Sequence, residues 1–336
     1  MRNERPRRRD GSSLRAVFIC VIGILSISTI ARAGVNYPLK GITLIVPFAA
    51  GGPTDIAARI IADSMASTLG QPIIIENVVG AGGTTAVIRA KRSVPDGYTI
   101  VMGHMGTHGA VVALNSRLAY DPIADFEPIG MAVGMPVLIL ARKGLAPKNL
   151  QEFVELMRAS GASLNMAHAG VGSVSYATCL LLNSIVGSRP TMTAFQGTGP
   201  AMNALVAGRV DYMCDQVVSV VPQIAIGSIK AYAVGTTERN PVLPDIPTSV
   251  EAGLPAFQAS AWNALFAPKG TPQIVVAALN TALGKALDSP EVRSQLLRLG
   301  GDLPDPAERT PAALAKLVKS EIEKWTAVIA ATNPEN

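Results

Sequence analysis

The stretch LIVPFAAGGPTDIAARI, Leu44 to Ile60, joins an unbroken apolar run to a turn of Gly51, Gly52 and Pro53. Ile56, Ile60, Ile61 and Met65 then recur at helical spacing. The pattern predicts a buried strand, a tight turn and an amphipathic helix. Gly52 suits the N-cap, and Pro53 suits the first helical position, where a missing N–H costs nothing. Asp55 falls in the first turn, where its charge suits the helix dipole. The turn contains no Lys, His or Cys. It offers free N–H groups and the positive end of a dipole, which suits an anion. Taken alone, it is equally an ordinary strand-to-helix connection.

The same device recurs. MAHAGVGSVSYATCLLL has Gly170 and Gly172 before Ser173, a suitable N-cap. TMTAFQGTGPAMNALVAGR has Gly197, Thr198, Gly199 and Pro200 between strand and helix, and ENVVGAGGTTAVIRA has Gly80, Gly82 and Gly83. Strand and helix alternate from Asn36 onward, which predicts an α/β fold. In such sheets ligands bind at the carboxyl ends of the strands. GYTIVMGH reads as a strand, FEPIGMAVGMPVLILARKG as one or two more, and the last third as helices. Asn240–Phe257, rich in Pro, reads as a connector containing a short helix.

The 336 residues are 49% apolar and only 4% aromatic, enough for one large or two medium cores. The net charge of +5 is a local effect, because the first 33 residues hold seven Arg and two acids and the remainder holds 22 charges of each sign. The charge therefore does not argue for nucleic acid. Those 33 residues resemble a secretory signal: a basic start, the apolar run AVFICVIGILSISTI, and Ala31-Arg32-Ala33 as a small-x-small cleavage site. The run is shorter than the roughly 20 residues of a membrane span, so export is expected; an uncleaved anchor is the alternative. Only Cys179 and Cys214 follow. A disulfide is permitted in an exported protein, but buried free thiols are the expectation.

No P-loop is present, and GVGSVS has Ser175 where a dinucleotide fingerprint needs its third glycine. His104 and His108 are four apart but follow a strand, which does not make a helical metal pair. Neither H-E-x-x-H nor G-x-S-x-G occurs. No catalytic residue, metal ligand or cofactor is therefore expected.

PFAAGGPTDIAAR, ENVVGAGGT, PDGYTIVMG, YDPIADFEPIG, AGVGSVSYA, FQGTGPAMNALVAGRVDYMCD and LPDIPTSVEAGLPAF, in this order, resemble the substrate-binding proteins of tripartite tricarboxylate transporters, the Bug family. The resemblance covers residues 36–330. It implies a two-lobed periplasmic binding protein of type II, with the ligand cleft between the lobes. Residues 34–133 and 237–336 would form lobe 1 and residues 134–236 lobe 2, with crossings near Val133 and Thr236. It implies a small organic acid as ligand, a membrane permease as partner, and a monomer. A sensor partner and a hydrolase on a related scaffold are the rival readings.

Carried over by position, Phe48, Ala50, Gly51, Gly52 and Thr54 would form the first-lobe side of the site. Gly172, Ser173, Gly197 and Thr198 would form the second. Thr107 and His108 match a polar turn near the ligand, and Asp215 matches an acid near the pocket or a buried helix cap. Trp262 is expected in the core. Many family members carry Lys or Arg where this chain has Gln196, which disfavours a highly charged ligand such as citrate.

Overall fold

The computed structural model describes residues 1–4 and 36–332, so the expected signal segment from residue 5 onward, with its apolar run and cleavage site, lies outside the described residues. The description below concerns the compact unit that begins at Tyr37. Its elements alternate as the apolar pattern requires. They run β1 (Ile42–Val46), α1 (Pro53–Leu69), β2 (Ile73–Asn77), α2 (Thr84–Lys91), β3 (Thr99–His104), α3 (Val111–Leu114) and β4 (Phe126–Arg142). Next come α4 (Leu150–Ser160), β5 (Asn165–His168), α5 (Val174–Val186), β6 (Thr191–Ala194), α6 (Thr198–Val206), β7 (Tyr212–Gln216), α7 (Val217–Ala225) and β8 (Ile229–Val234). Last are β9 (Ser260–Pro268), α8 (Gln273–Asp288), α9 (Pro290–Arg298) and α10 (Pro311–Thr332).

Hydrogen bonding joins the strands in the order β2-β1-β3-β9-β4-β7-β5-β6, with β8 also on β4. β2, β1 and β3 are parallel, as are β7, β5 and β6, and antiparallel pairs through β9 and β4 link the two groups. Helices cover both faces, so successive strand residues enter two different cores. Ile45 and Val101 join one cluster; Ile42, Leu44, Val46, Ile100 and Met102 join the other. Burial on both sides is why these strands read as continuous apolar runs.

β4 is one strand of 17 residues. Its first part pairs with β9 as far as Pro136, opposite Ser260, and its last part pairs with β7 and β8. Register shifts at Pro128/Gly130 and Met131/Val133 against β9, and at Ile139/Leu140 against β8, bend it along the way. Where the pairing changes hands, the Gly235 amide donates to the Val137 carbonyl at 2.8 Å and the Ala259 amide donates to the Gly235 carbonyl at 2.7 Å.

Three features depart from expectation. β9 has no counterpart in the strand pattern read from the sequence, although it sits between β3 and β4 in the sheet. Asn240–Phe257 contains turns and no helix; its four prolines break the ladder that a helix needs. Cys179 and Cys214 form a disulfide, not a pair of free thiols, because α5 packs on β7 and brings their Cα atoms within 5.4 Å. Trp262 is buried in β9, as expected.

Candidate functional site

The turns that follow β1, β3, β5, β6 and β7 meet at one place. Gly52 is the N-cap of α1 with Pro53 behind it, and Gly70 closes the helix in a left-handed conformation at φ 68°. Ser173 caps α5 by accepting the Tyr176 amide at 3.1 Å. Gly197 is the N-cap of α6. The first turns of these three helices border a narrow cavity of about 10 Å³, lined among others by Phe48, His104, Ser173, Thr198 and Gln216. That volume holds about one water, so admitting a solute requires the turns that wall the cavity to separate.

The turns touch one another directly. The Ala49 amide donates to the Gln196 carbonyl at 3.0 Å. A Cβ placed on Gly82 would lie 1.7 Å from the Val171 carbonyl oxygen, and one on Gly106 would lie 2.5 Å from that of Gly172. Only glycine permits such approach.

The expected site residues divide into three groups. Phe48, Gly52, Thr54, Ser173 and Thr198 line the cavity. Ala50 and Gly51 line an adjoining recess that shares Thr198, while Gly172 and Gly197 serve the contacts between turns. Thr107, His108 and Asp215 stand behind the wall: Thr107 and His108 are fully buried, and Asp215 is 1% exposed. The His108 ring stacks on Phe266 with centroids 4.0 Å apart. The wide π-helical turn at Gly106–Ala110 carries both residues into the buried interior.

The sequence does not single out His104, Gln216 or Asp55 as site residues, although all three line the cavity. The signal available was position: His104 ends β3 and Gln216 ends β7, and strand ends are where such sheets bind ligands. Gln216 accepts from the Asn263 side-chain amide at 3.0 Å. The His104 ring stacks on Phe48, centroids 5.1 Å apart and planes 14° apart.

The wall carries no fixed cation. Asp55 accepts from the Gly51 amide, Arg59 and Asn77. Burial pushes its carboxyl up, but these hydrogen bonds and the Arg59 charge outweigh burial and hold it below the usual range. It therefore stays ionised and is balanced by Arg59, at 2.9 Å. Asp215 has no such partner. Burial pushes its carboxyl up to about 7, against hydrogen bonds from Ser219, the Gln216 amide and Thr198.

The model of the tripartite tricarboxylate transporter family receptor, TctC, matches residues 57–333. The chain belongs to this receptor family. The solved structure of MatC from Rhodopseudomonas palustris with bound malate shares 54% identity, covering 87% of this chain and 100% of MatC with a TM-score of 0.86. The periplasmic binding protein BugD shares 38% identity over 88% of this chain and 99% of its own, also with a TM-score of 0.86. An Agrobacterium vitis protein, encoded in the TAR-I ttuE–ttuC' intergenic region, is 39% identical over 326 residues, 96% of this chain and 94% of the relative. The receptor is thus a periplasmic solute-binding protein of the TctC and Bug type, not an enzyme. A TctC receptor has to hold a solute and release it unchanged, which accounts for a site walled by turns and by polar side chains whose one ionised member, Asp55, is already balanced by Arg59.

Proposed function

We propose that this receptor captures a small dicarboxylate of the malate class and delivers it to the membrane permease of a tripartite tricarboxylate transporter. The observation that carries this reading is the small cavity bordered by three helix N-termini and polar side chains, whose one ionised member, Asp55, is balanced by Arg59. Helix N-termini favour anions. The identity to malate-bound MatC supports the ligand class. Gln196 supplies no fixed positive charge beside the Ala49 contact, which supports a dicarboxylate over citrate.

In this reading residues 34–133 and 237–336 form one lobe, and residues 134–236 form the other. Residues 1–33 direct export and are removed after Ala33. Phe48, Gly52 and Thr54 contact the ligand from the first lobe, and Ser173 and Thr198 from the second. An anion that gains contacts from both lobes only when they close shifts the population toward closure.

Differential scanning fluorimetry with malate, succinate, aspartate, citrate, glucose and Mg²⁺ tests the reading. A tight ligand at a hundredfold excess over Kd stabilises by about 2.7 kcal/mol, a rise of several degrees. Malate or succinate should give that rise and citrate a smaller one. Binding of glucose or Mg²⁺ with no response to any acid would overturn the proposal.

A further inference from the structure

His104 is the most constrained polar group on the cavity wall. Its Nδ1 accepts the amide of Gly106 at 2.9 Å and that of Thr107 at 3.1 Å. A nitrogen that accepts two N–H groups carries no proton, so the proton of the neutral ring resides on Nε2. Among the described residues Nε2 has no hydrogen-bond partner, although the ring is 1% exposed. Nε2 is not one of the fully enclosed unpartnered atoms among the described residues, so its N–H is open to a partner that enters the cavity. The ring lines the cavity, and its stacking on Phe48 limits rotation.

The other two histidines sharpen the contrast. His168 ends β5 and accepts the Gly170 amide on Nδ1 at 2.9 Å in the same manner, but it is absent from the cavity wall. His108 also has an unpartnered Nε2, but its ring stacks on Phe266 behind the wall. Only His104 combines a fixed donor tautomer with a place on the cavity.

We propose that the His104 Nε2–H donates a hydrogen bond to a carboxylate oxygen of the bound acid and is a determinant of ligand specificity. The assignment rests on the carboxylate reading above and adds a residue to it. Burial pushes the imidazole down to about 3, so the donor is neutral at physiological pH. A neutral donor recognises a carboxylate by direction and position, without the strong attraction of a cation that would slow release. Thr107, expected at the ligand, instead acts as a positioning residue: its amide helps orient the imidazole.

The test uses the mature protein with malate and succinate as probes. Long-range ¹H–¹⁵N NMR of the histidine rings should show His104 as the Nε2–H tautomer, and the Hε2 resonance should move downfield when malate is added. In calorimetry, His104→Phe should weaken malate at least tenfold while leaving the melting temperature of the free protein within a few degrees. His104→Gln, which can place an N–H near the same point, should recover part of that loss. If wild type binds malate but His104→Phe binds it equally, or the Nε2 resonance does not respond, the assignment is overturned and the carboxylate reading stands. If wild type binds neither acid, both fall.

Discussion

The Ala49 amide donates to the Gln196 carbonyl across 3.0 Å, so the turn leading into α1 is hydrogen-bonded to the turn leading into α6. Gly197 follows directly, and a Cβ there would lie 3.0 Å from the Ala49 nitrogen and 3.3 Å from its Cβ. Its φ of 167° is extended backbone that any residue adopts. The glycine is therefore needed for proximity, not conformation. Gly197→Val should separate the two turns and weaken malate binding at least tenfold, with only a small change in the melting temperature of the free protein. Calorimetry and a thermal melt decide it; unchanged affinity in a folded variant would remove this turn from the site.

Gly51 presents the opposite case. Nothing lies within 4 Å of a Cβ built there, but its φ is 83°. A residue with a Cβ in left-handed conformation costs about 1–2 kcal/mol, and a β-branched one is stiffer still. Gly51→Val should lower stability by at least that much. Gly51→Asn should lose much less, because Asn tolerates the left-handed region. Equal urea midpoints for the two variants would contradict the argument.

The Cys179–Cys214 disulfide joins α5, whose first turn borders the cavity, to β7, which ends at Gln216 on the same wall. It closes a loop with a sequence separation of 35. Chain-entropy reasoning gives a loop of that length about 3–4 kcal/mol. The Cys179→Ala/Cys214→Ala protein should unfold at a lower urea concentration by a corresponding amount, and reductant should shift wild type but not the variant. A variant as stable as oxidised wild type would exclude this contribution.

Asp215 gives the pH dependence a definite sign. Its folded carboxyl lies at about 7 against an ordinary 3.8. Between those values the folded state keeps a proton that the unfolded chain has released. The resulting stabilisation is complete below about pH 4 and is lost as pH rises through 7. His104 and His108 act in the opposite direction. Burial pushes both down to about 3 from 6.5, so their contribution is lost as pH falls from 6.5 toward 3. Asp215→Asn should remove the first effect and expose the second: relative to wild type, the variant gains stability at pH 8 and falls more steeply from pH 7 to 5. Urea midpoints at pH 5, 6, 7 and 8 test this, and parallel curves for the two proteins would refute it.

Much of the architecture was legible because it is local. Gly52, Pro53 and Gly70 mark the bounds of α1, and Ser173 marks the start of α5, through backbone geometry that each residue type imposes by itself. The apolar run of β1 announced a buried strand, and GYTIVMGH marked β3. The glycines at 51, 172 and 197 pointed to turns of special geometry, and the order of the motifs pointed to the receptor family.

Tertiary structure decided what depends on residues far apart in the chain. β9 is central only because β3 and β4 flank it, and its mixed sequence SAWNALFAP carries no mark of those partners. Cys179 meets Cys214 because α5 lies across β7. The sequence placed Thr107 and His108 beside the ligand because they occupy the turn. Their side chains are buried behind the wall because the wide π-helical turn at Gly106–Ala110 carries them into the core, while His104, at the end of β3, lines the cavity. Side-chain direction within a turn follows from packing around the whole turn, and that packing is set by contacts the local sequence does not contain.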